Sequence, residues 1–383
     1  MPLISSGRRQ FLALGAAGLA VAGARARAAD IILPLPGGPQ QRAITTAFLQ
    51  KGAMILQRTR PPLLETPFEV FDQGVFTPND RFFVRWHWAV IPTDIDVTTF
   101  RLGVDGHVET PLSLSLQDVL AMPRVELAAV NQCSGNSRGF VQPRVAGGEW
   151  GNGAMGNAKW VGVPLKDVLD RAGVKAGAHR VRFSGLDEAV VSDAPKFMKS
   201  IDLEHARDGE VMIAYAMNGK QLPLLNGFPL RLVVPGWYST YWVKMLNSIE
   251  VLDSPDENFW TKTAYTIPDT PGGDMKPGQT GVKMVPINRM LPRSFITNLQ
   301  DGAAVRPGIT AMRGIALGGA AGVKAVELST DDGSSWNLAA LGPDEGRYSF
   351  RAWTASLDLR GGDAAVAVRC TNMDGLVQPV TPT

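Results

Sequence analysis

The chain has 383 residues, 45% hydrophobic and 19% charged, with a formal net charge of +2. That length suits two domains with cores of their own, and near-neutral charge gives no support for a nucleic-acid binder. Two cysteines are too few for a disulfide scaffold or an iron–sulfur cluster, and no CxxCH is present for c-type haem attachment.

Residues 1–29 read as a targeting segment. Arg8-Arg9 precede Phe11-Leu12, an Ala/Gly-rich run follows, and Ala26-Arg27-Ala28 offers small residues for cleavage. The run is too short and alanine-rich for a membrane span, so no membrane insertion is expected. Twin arginines point to export of a folded protein into the periplasm. An ordinary secretory signal is the competing interpretation.

Next comes an arm with a predicted helix over Gln41 to Gln57. The turn signal Thr77-Pro78-Asn79-Asp80 then leads into Arg81-Phe82-Phe83-Val84-Arg85-Trp86-His87-Trp88. Strand alternation places Phe83, Arg85 and His87 on one face and Phe82, Val84 and Trp86 on the other. An arginine beside a histidine makes an anion seat. A solvated polar face would show the same pattern, but the flanking aromatics predict burial on both sides.

Strands are predicted at Phe100 to Val104 and Leu112 to Leu114, and a helix at Leu116 to Met122 capped by Ser115. The apolar run Val125 to Val130 reads as a strand that delivers Cys133-Ser134-Gly135-Asn136-Ser137-Arg138. A thiol among small residues, with a guanidinium five positions on, suits a soft metal centre or a nucleophile. Taken alone, Cys133 fits equally well as inert core or as half of a disulfide with Cys370.

A glycine-rich loop, 147–156, precedes Trp160 to Leu165 and a helix at Lys166 to Ala172. Strands follow at Val181 to Phe183 and Val211 to Ala216, the latter ending in the hairpin signal Asn218-Gly219. Pro229 to Val234 reads as a buried strand carrying Arg231. A charge in such a run requires a carboxylate or an anionic ligand. Tyr265 and Lys262 fit a site or a surface equally well.

Beyond a Pro/Gly-rich shift near 270–282, short strands recur: Ser294 to Ile296, Gly308 to Leu317, Val323 to Ser329, Trp336 to Leu341, Tyr348 to Leu357 and Ala364 to Thr371. Regular spacing with Gly/Asp/Ser turns predicts a β-sandwich.

The ordered set Glu65-Thr66-Pro67, Phe82 to His87, Cys133 to Arg138, Trp160 to Leu165, Met217 to Gly219, Gly227 to Gly236 with Lys244, and Lys262 to Tyr265 resembles the sulfite oxidase family of molybdenum–pterin enzymes. Within that family it looks most like the haem-free bacterial periplasmic sulfite dehydrogenases. The resemblance covers about residues 60 to 270, and the strand-rich end resembles the family's immunoglobulin-like dimerisation domain. It implies an α+β architecture. A molybdopterin-binding catalytic domain over 30–275 would be followed by an immunoglobulin-like β-sandwich over 276–383, in a homodimer.

The resemblance also implies roles. Cys133 matches the thiolate ligand of molybdenum, and Arg85, Arg138 and Tyr265 match substrate-site residues. His87 would orient substrate or help bind the cofactor. Arg231 and Lys244 would hold the phosphate of molybdopterin, with Phe83, Trp86, Asp187, Asn226, Trp242 and Val243 around the pterin. Asn226 stands where animal members have histidine, and Trp86 replaces a polar residue. The implied reaction oxidises sulfite to sulfate by oxygen-atom transfer, with electrons leaving to a separate c-type cytochrome. A sulfoxide reductase of related chemistry and an exported, non-catalytic β-sandwich binding protein are the competing expectations.

Overall fold

The computed structural model of the protein describes residues 30–36, 40–270, 273, 275–276 and 278–379. The twin-arginine segment lies outside the described residues. The chain is built from sheets with short helices between them, the predicted α+β class.

Three sheets make the N-terminal body. The first orders Asp30–Ile32, Gln41–Thr45, Met54–Arg58, Leu63–Glu65 and Val84–Arg85. Its second and third strands replace the helix expected over 41–57. Ile44 pairs with Ile55, and Leu56 pairs in turn with Leu64. Met54, Ile55 and Leu64 are buried by that ladder. Tertiary pairing thus overrides a helix-friendly composition.

The second sheet runs Met198–Asp202, Arg180–Gly185, Leu246–Leu252, Arg101–Gly106 and Leu112–Ser115. The predicted cap is present beside it. Ser115 Oγ accepts the Asp118 N–H, and the Asp118 carboxylate accepts the Ser115 N–H, opening the helix Leu116–Leu120. The third sheet carries Val125–Gln132, Met155–Pro164, Met212–Met217 and Lys220–Gln221, with Arg231–Val233 also pairing to Met212–Met217. Asn218 and Gly219, both at positive φ, close the expected two-residue hairpin.

The segment 82–88 forms only the two-residue strand Val84–Arg85, not the longer strand expected. Phe82, Val84 and Trp86 are nevertheless buried while Arg85 and His87 stay half-exposed.

The C-terminal body is the expected sandwich. One sheet orders Arg293–Ile296, Gly308–Leu317, Arg351–Leu359 and Ala340–Leu341; the other orders Asn337–Leu338, Val323–Ser329 and Ala367–Asn372. The strand expected over 336–341 is therefore split between both sheets. Met312, Val326, Trp353, Leu357 and Cys370 fill the space between them. Both cysteines are free thiols, so the competing Cys133–Cys370 pairing is overturned.

The two bodies meet at Phe71, Val130, Met155, Met290, Phe295 and Phe350. The Val130 N–H donates to the Tyr348 carbonyl at 2.8 Å, so the strand leading to Cys133 is tied directly to the sandwich.

Candidate active site

Cys133 sits at the open end of the strand Val125–Gln132, whose last four residues are buried. Its N–H donates to the Ala154 carbonyl at 2.9 Å, and its carbonyl accepts the Asn136 N–H at 3.0 Å. The Asn136 carboxamide oxygen accepts the Ala154 N–H at 2.9 Å. Ser137, at φ +72°, donates its N–H to the Gly151 carbonyl. Small residues here and in the neighbouring loop leave room for the Arg138 side chain. A side chain at Gly135 or Gly147 would collide with the Arg138 guanidinium.

Glu65 braces the loop that braces the turn. Its carboxylate accepts the N–H groups of Gly151 and Gly153 at 3.1 and 2.9 Å, and the Gln57 amide at 2.6 Å. Glu65→Ala leaves these donors without an acceptor in a buried place, so it should cost about 3 kcal/mol of stability. Thermal unfolding checks this, and a melting temperature equal to wild type would rule the brace out.

The Cys133 sulfur accepts the Gly135 N–H at 3.4 Å, and the residue, 7% exposed, opens onto a cavity. Phe83, Arg85 and His87 line one side of it, Asn226, Arg231, Trp242 and Lys244 another, and Tyr265 closes it. The sequence-predicted residues thus converge, with four exceptions. Trp86 lies behind the wall, its ring 4.4 Å from the Lys244 ammonium and its Nε1–H on the Leu225 carbonyl. Val243 and Asp187 are buried away from the cavity. Arg138 lines an adjoining cleft that shares Cys133 and Ser134 with it.

The walls are cationic, and no lining residue is acidic. Arg231 meets no carboxylate among the described residues. Its Nη1 donates to the Asn226 carbonyl, its Nε is buried without a partner, and its guanidinium lies 5.1 and 5.6 Å from the Trp160 and Trp242 rings. Burial pushes it down to about 9. Arg85 Nη1 is also buried without a partner. Lys244 donates to the Arg85 carbonyl at 2.8 Å. Burial, then Arg231, pushes the Lys244 ammonium down, and Asp187 opposes that. Desolvated cations in a cavity lined by no acidic residue make a receptor for an anion.

His87 Nε2 and the Tyr265 hydroxyl are 2.6 Å apart. Burial, then Arg85, holds His87 well below the usual histidine range, and burial raises Tyr265. Both groups are therefore neutral at pH 7.

Sequence reasoning missed three residues here. The Phe197 ring stacks on His87 at 3.7 Å. Lys199 is fully buried, donates to the Trp260 carbonyl and lies 5.2 Å from the Tyr265 ring. Lys51 donates to the carbonyls of Asn79 and Phe82 and to the side-chain oxygen of Asn226. Lys51 therefore puts its amino group next to Asn226, and burial pushes that group down to about 7.

Among the described residues, no group of three or more His, Cys, Asp and Glu side chains could hold a metal ion. A metal on Cys133 must therefore bring further ligands with it. A cysteine that shares its cavity with Arg85, Arg231 and Lys244 fits a metal carried on an anionic organic group.

The chain matches the oxidoreductase molybdopterin binding domain over residues 88–260. It is 35% identical over 345 residues to the mitochondrial sulfite oxidase of Homo sapiens, covering 86% of this chain and 62% of that protein's length. To the sulfite oxidase of Gallus gallus it is 34% identical, covering 84% of this chain and 72% of that one. To that of Arabidopsis thaliana it is 30% identical, covering 76% and 77%. Among solved structures it resembles the sulfane dehydrogenase SoxCD from Paracoccus pantotrophus, with a TM-score of 0.73, 26% identity, and coverage of 88% of this chain and 81% of that one.

Proposed function

We propose that this chain, which belongs to the sulfite oxidase family, oxidises sulfite to sulfate. The observation that carries this is the absence of any acidic residue from a cavity that Arg85, Arg231 and Lys244 line together with Cys133. Family membership argues against the non-catalytic binding-protein expectation. The family's molybdenum–pterin cofactor fits the site, because the buried, unpartnered atoms of Arg85 and Arg231 await an anion and Cys133 offers one soft ligand.

When bound, that cofactor supplies the oxygen atom transferred to sulfur and takes up two electrons. Overall, sulfite and water give sulfate, two protons and two electrons. Cys133 would hold the metal as a thiolate, which coordination keeps deprotonated. Arg231 and Lys244 would hold the pterin phosphate, with Phe83, Asn226 and Trp242 about the ring system. Arg85 and Arg138 would seat the sulfite dianion, since planar guanidinium forks suit oxyanions. Tyr265 would hydrogen-bond the substrate or an oxygen of the centre while resting on neutral His87. Asp187 would act from outside the cavity, by opposing the desolvation of Lys244. A neutral sulfoxide would gain little from two guanidiniums.

Electrons would pass to a separate c-type cytochrome, as the resemblance to the haem-free bacterial sulfite dehydrogenases implies. Arg8-Arg9 support periplasmic export with the cofactor in place. The sandwich would make a homodimer contact. No helix among the described residues is long and apolar enough to cross a membrane.

The test is sulfite-dependent reduction of a c-type cytochrome by purified protein, with molybdenum measured on the same sample. Molybdenum-loaded protein that does not turn over sulfite would overturn the reading. Running a sulfane substrate in parallel separates sulfite oxidation from the activity in the name of the structural relative. Arg138→Met should raise the KM for sulfite about tenfold or more, as expected for losing one charge-assisted contact, with molybdenum content unchanged. An unchanged KM would remove Arg138 from the anion seat.

A further inference from the structure

The cleft that adjoins the cavity at Cys133 has a wall from the sandwich. Arg293, first residue of the strand Arg293–Ile296, lines it together with Arg138. Its Nη2 donates to Ser137 Oγ at 2.8 Å, within the Cys133–Arg138 turn. Its guanidinium lies 4.7 Å from the Phe295 ring. Neither Arg293 nor Arg138 makes an ion pair with a carboxylate among the described residues, and no residue lining the cleft is acidic. Gln378 from the sandwich and Tyr238 from the catalytic body also line the cleft.

A single hydroxyl satisfies one of the five N–H donors of a guanidinium. Two guanidiniums facing one cleft also repel each other, a cost that an anion between them would remove. A lone structural arginine would be expected to pair with an acid or to reach bulk water. Arg293 instead lies half-buried along Phe295 and turns its fork toward the thiol turn.

We propose that Arg293 is a substrate-binding residue: with Arg138 it forms a two-guanidinium seat for a sulfur oxyanion in the cleft beside Cys133. This deepens the reading of the site as a sulfite-oxidising centre and rests on it. The sandwich then contributes a residue to the anion's path and does more than support the catalytic body.

The probe is inorganic sulfate, titrated calorimetrically into the purified holoenzyme at low ionic strength, alongside steady-state kinetics with sulfite. Arg293→Met and Arg293→Gln should each weaken sulfate binding and raise the KM for sulfite about tenfold, with kcat and molybdenum content within about threefold of wild type. Arg293→Lys, which keeps the charge, should recover part of both. Glutamine can still bond Ser137 Oγ. Retention of wild-type sulfate affinity by Arg293→Gln would therefore assign Arg293 to holding the turn and overturn the proposal. Affinity and KM within twofold of wild type in Arg293→Met would overturn it as well. Should wild-type protein bind sulfate in an Arg293-dependent way yet fail to oxidise sulfite, the oxyanion seat stands and the functional reading falls.

Discussion

Cys133→Ser should reduce sulfite turnover to background while the protein still folds. The backbone bonds that place residue 133, its N–H to Ala154 and its carbonyl to Asn136, do not involve the side chain. A serine oxygen can still accept the Gly135 N–H that now points at sulfur. What changes is the ligand. A thiolate is soft and is easily kept deprotonated by a metal, whereas an alkoxide is hard and its hydroxyl far less acidic. The expected result is loss of at least about 10³ in kcat, with an unfolding temperature within a few degrees of wild type. Cys370→Ser is the control. That thiol is buried in the sandwich, donates weakly to the Leu317 carbonyl, is pushed up to about 12 by burial, and lines neither the cavity nor the cleft at Cys133. Its substitution should leave kcat and KM unchanged. Near-normal turnover by Cys133→Ser would refute the assignment of Cys133 as the metal ligand.

What could be seen in the sequence was what is locally determined. The strand into Cys133, the small residues after it and the Asn218-Gly219 hairpin each depend on neighbours a few positions away. Arg231 could be singled out because a charge inside Leu230 to Val234 breaks a buried pattern. The hairpin at 41–58 could not, because its strands are defined by the ladder that continues to Leu63–Glu65 and Val84–Arg85. Lys51 carried no signal at all. It follows a polar glutamine in what reads as a surface helix, and the Asn226 that it binds is 175 positions away. Lys199 did carry one. Phe197, Lys199 and Ile201 alternate along Met198–Asp202 and its approach, so the lysine shares a face with buried apolar residues. Arg293 was hidden by its domain, since short sandwich strands give no reason to look for chemistry at their ends.

Arg231→Met should separate stability from cofactor retention, with opposite signs for the two. In the protein without cofactor, Arg231 is a buried cation between Trp160 and Trp242, with one hydrogen bond and an unsatisfied Nε. Replacing such a charge by an apolar residue of similar length is often neutral or stabilising, by up to a few kcal/mol. Methionine also packs well against two indole rings. Protein made without cofactor should therefore melt at the wild-type temperature or above it. Protein made with cofactor available should carry about tenfold less molybdenum and pterin, because the phosphate loses a guanidinium in a place from which water is excluded. Arg231→Lys should fall between the two, keeping the charge but losing the planar fork. Metal and pterin assays on both preparations, with thermal unfolding, give the comparison. Full occupancy in Arg231→Met would take Arg231 out of the phosphate site. A large drop in the melting temperature of its cofactor-free form would show instead that the cation is needed by the fold.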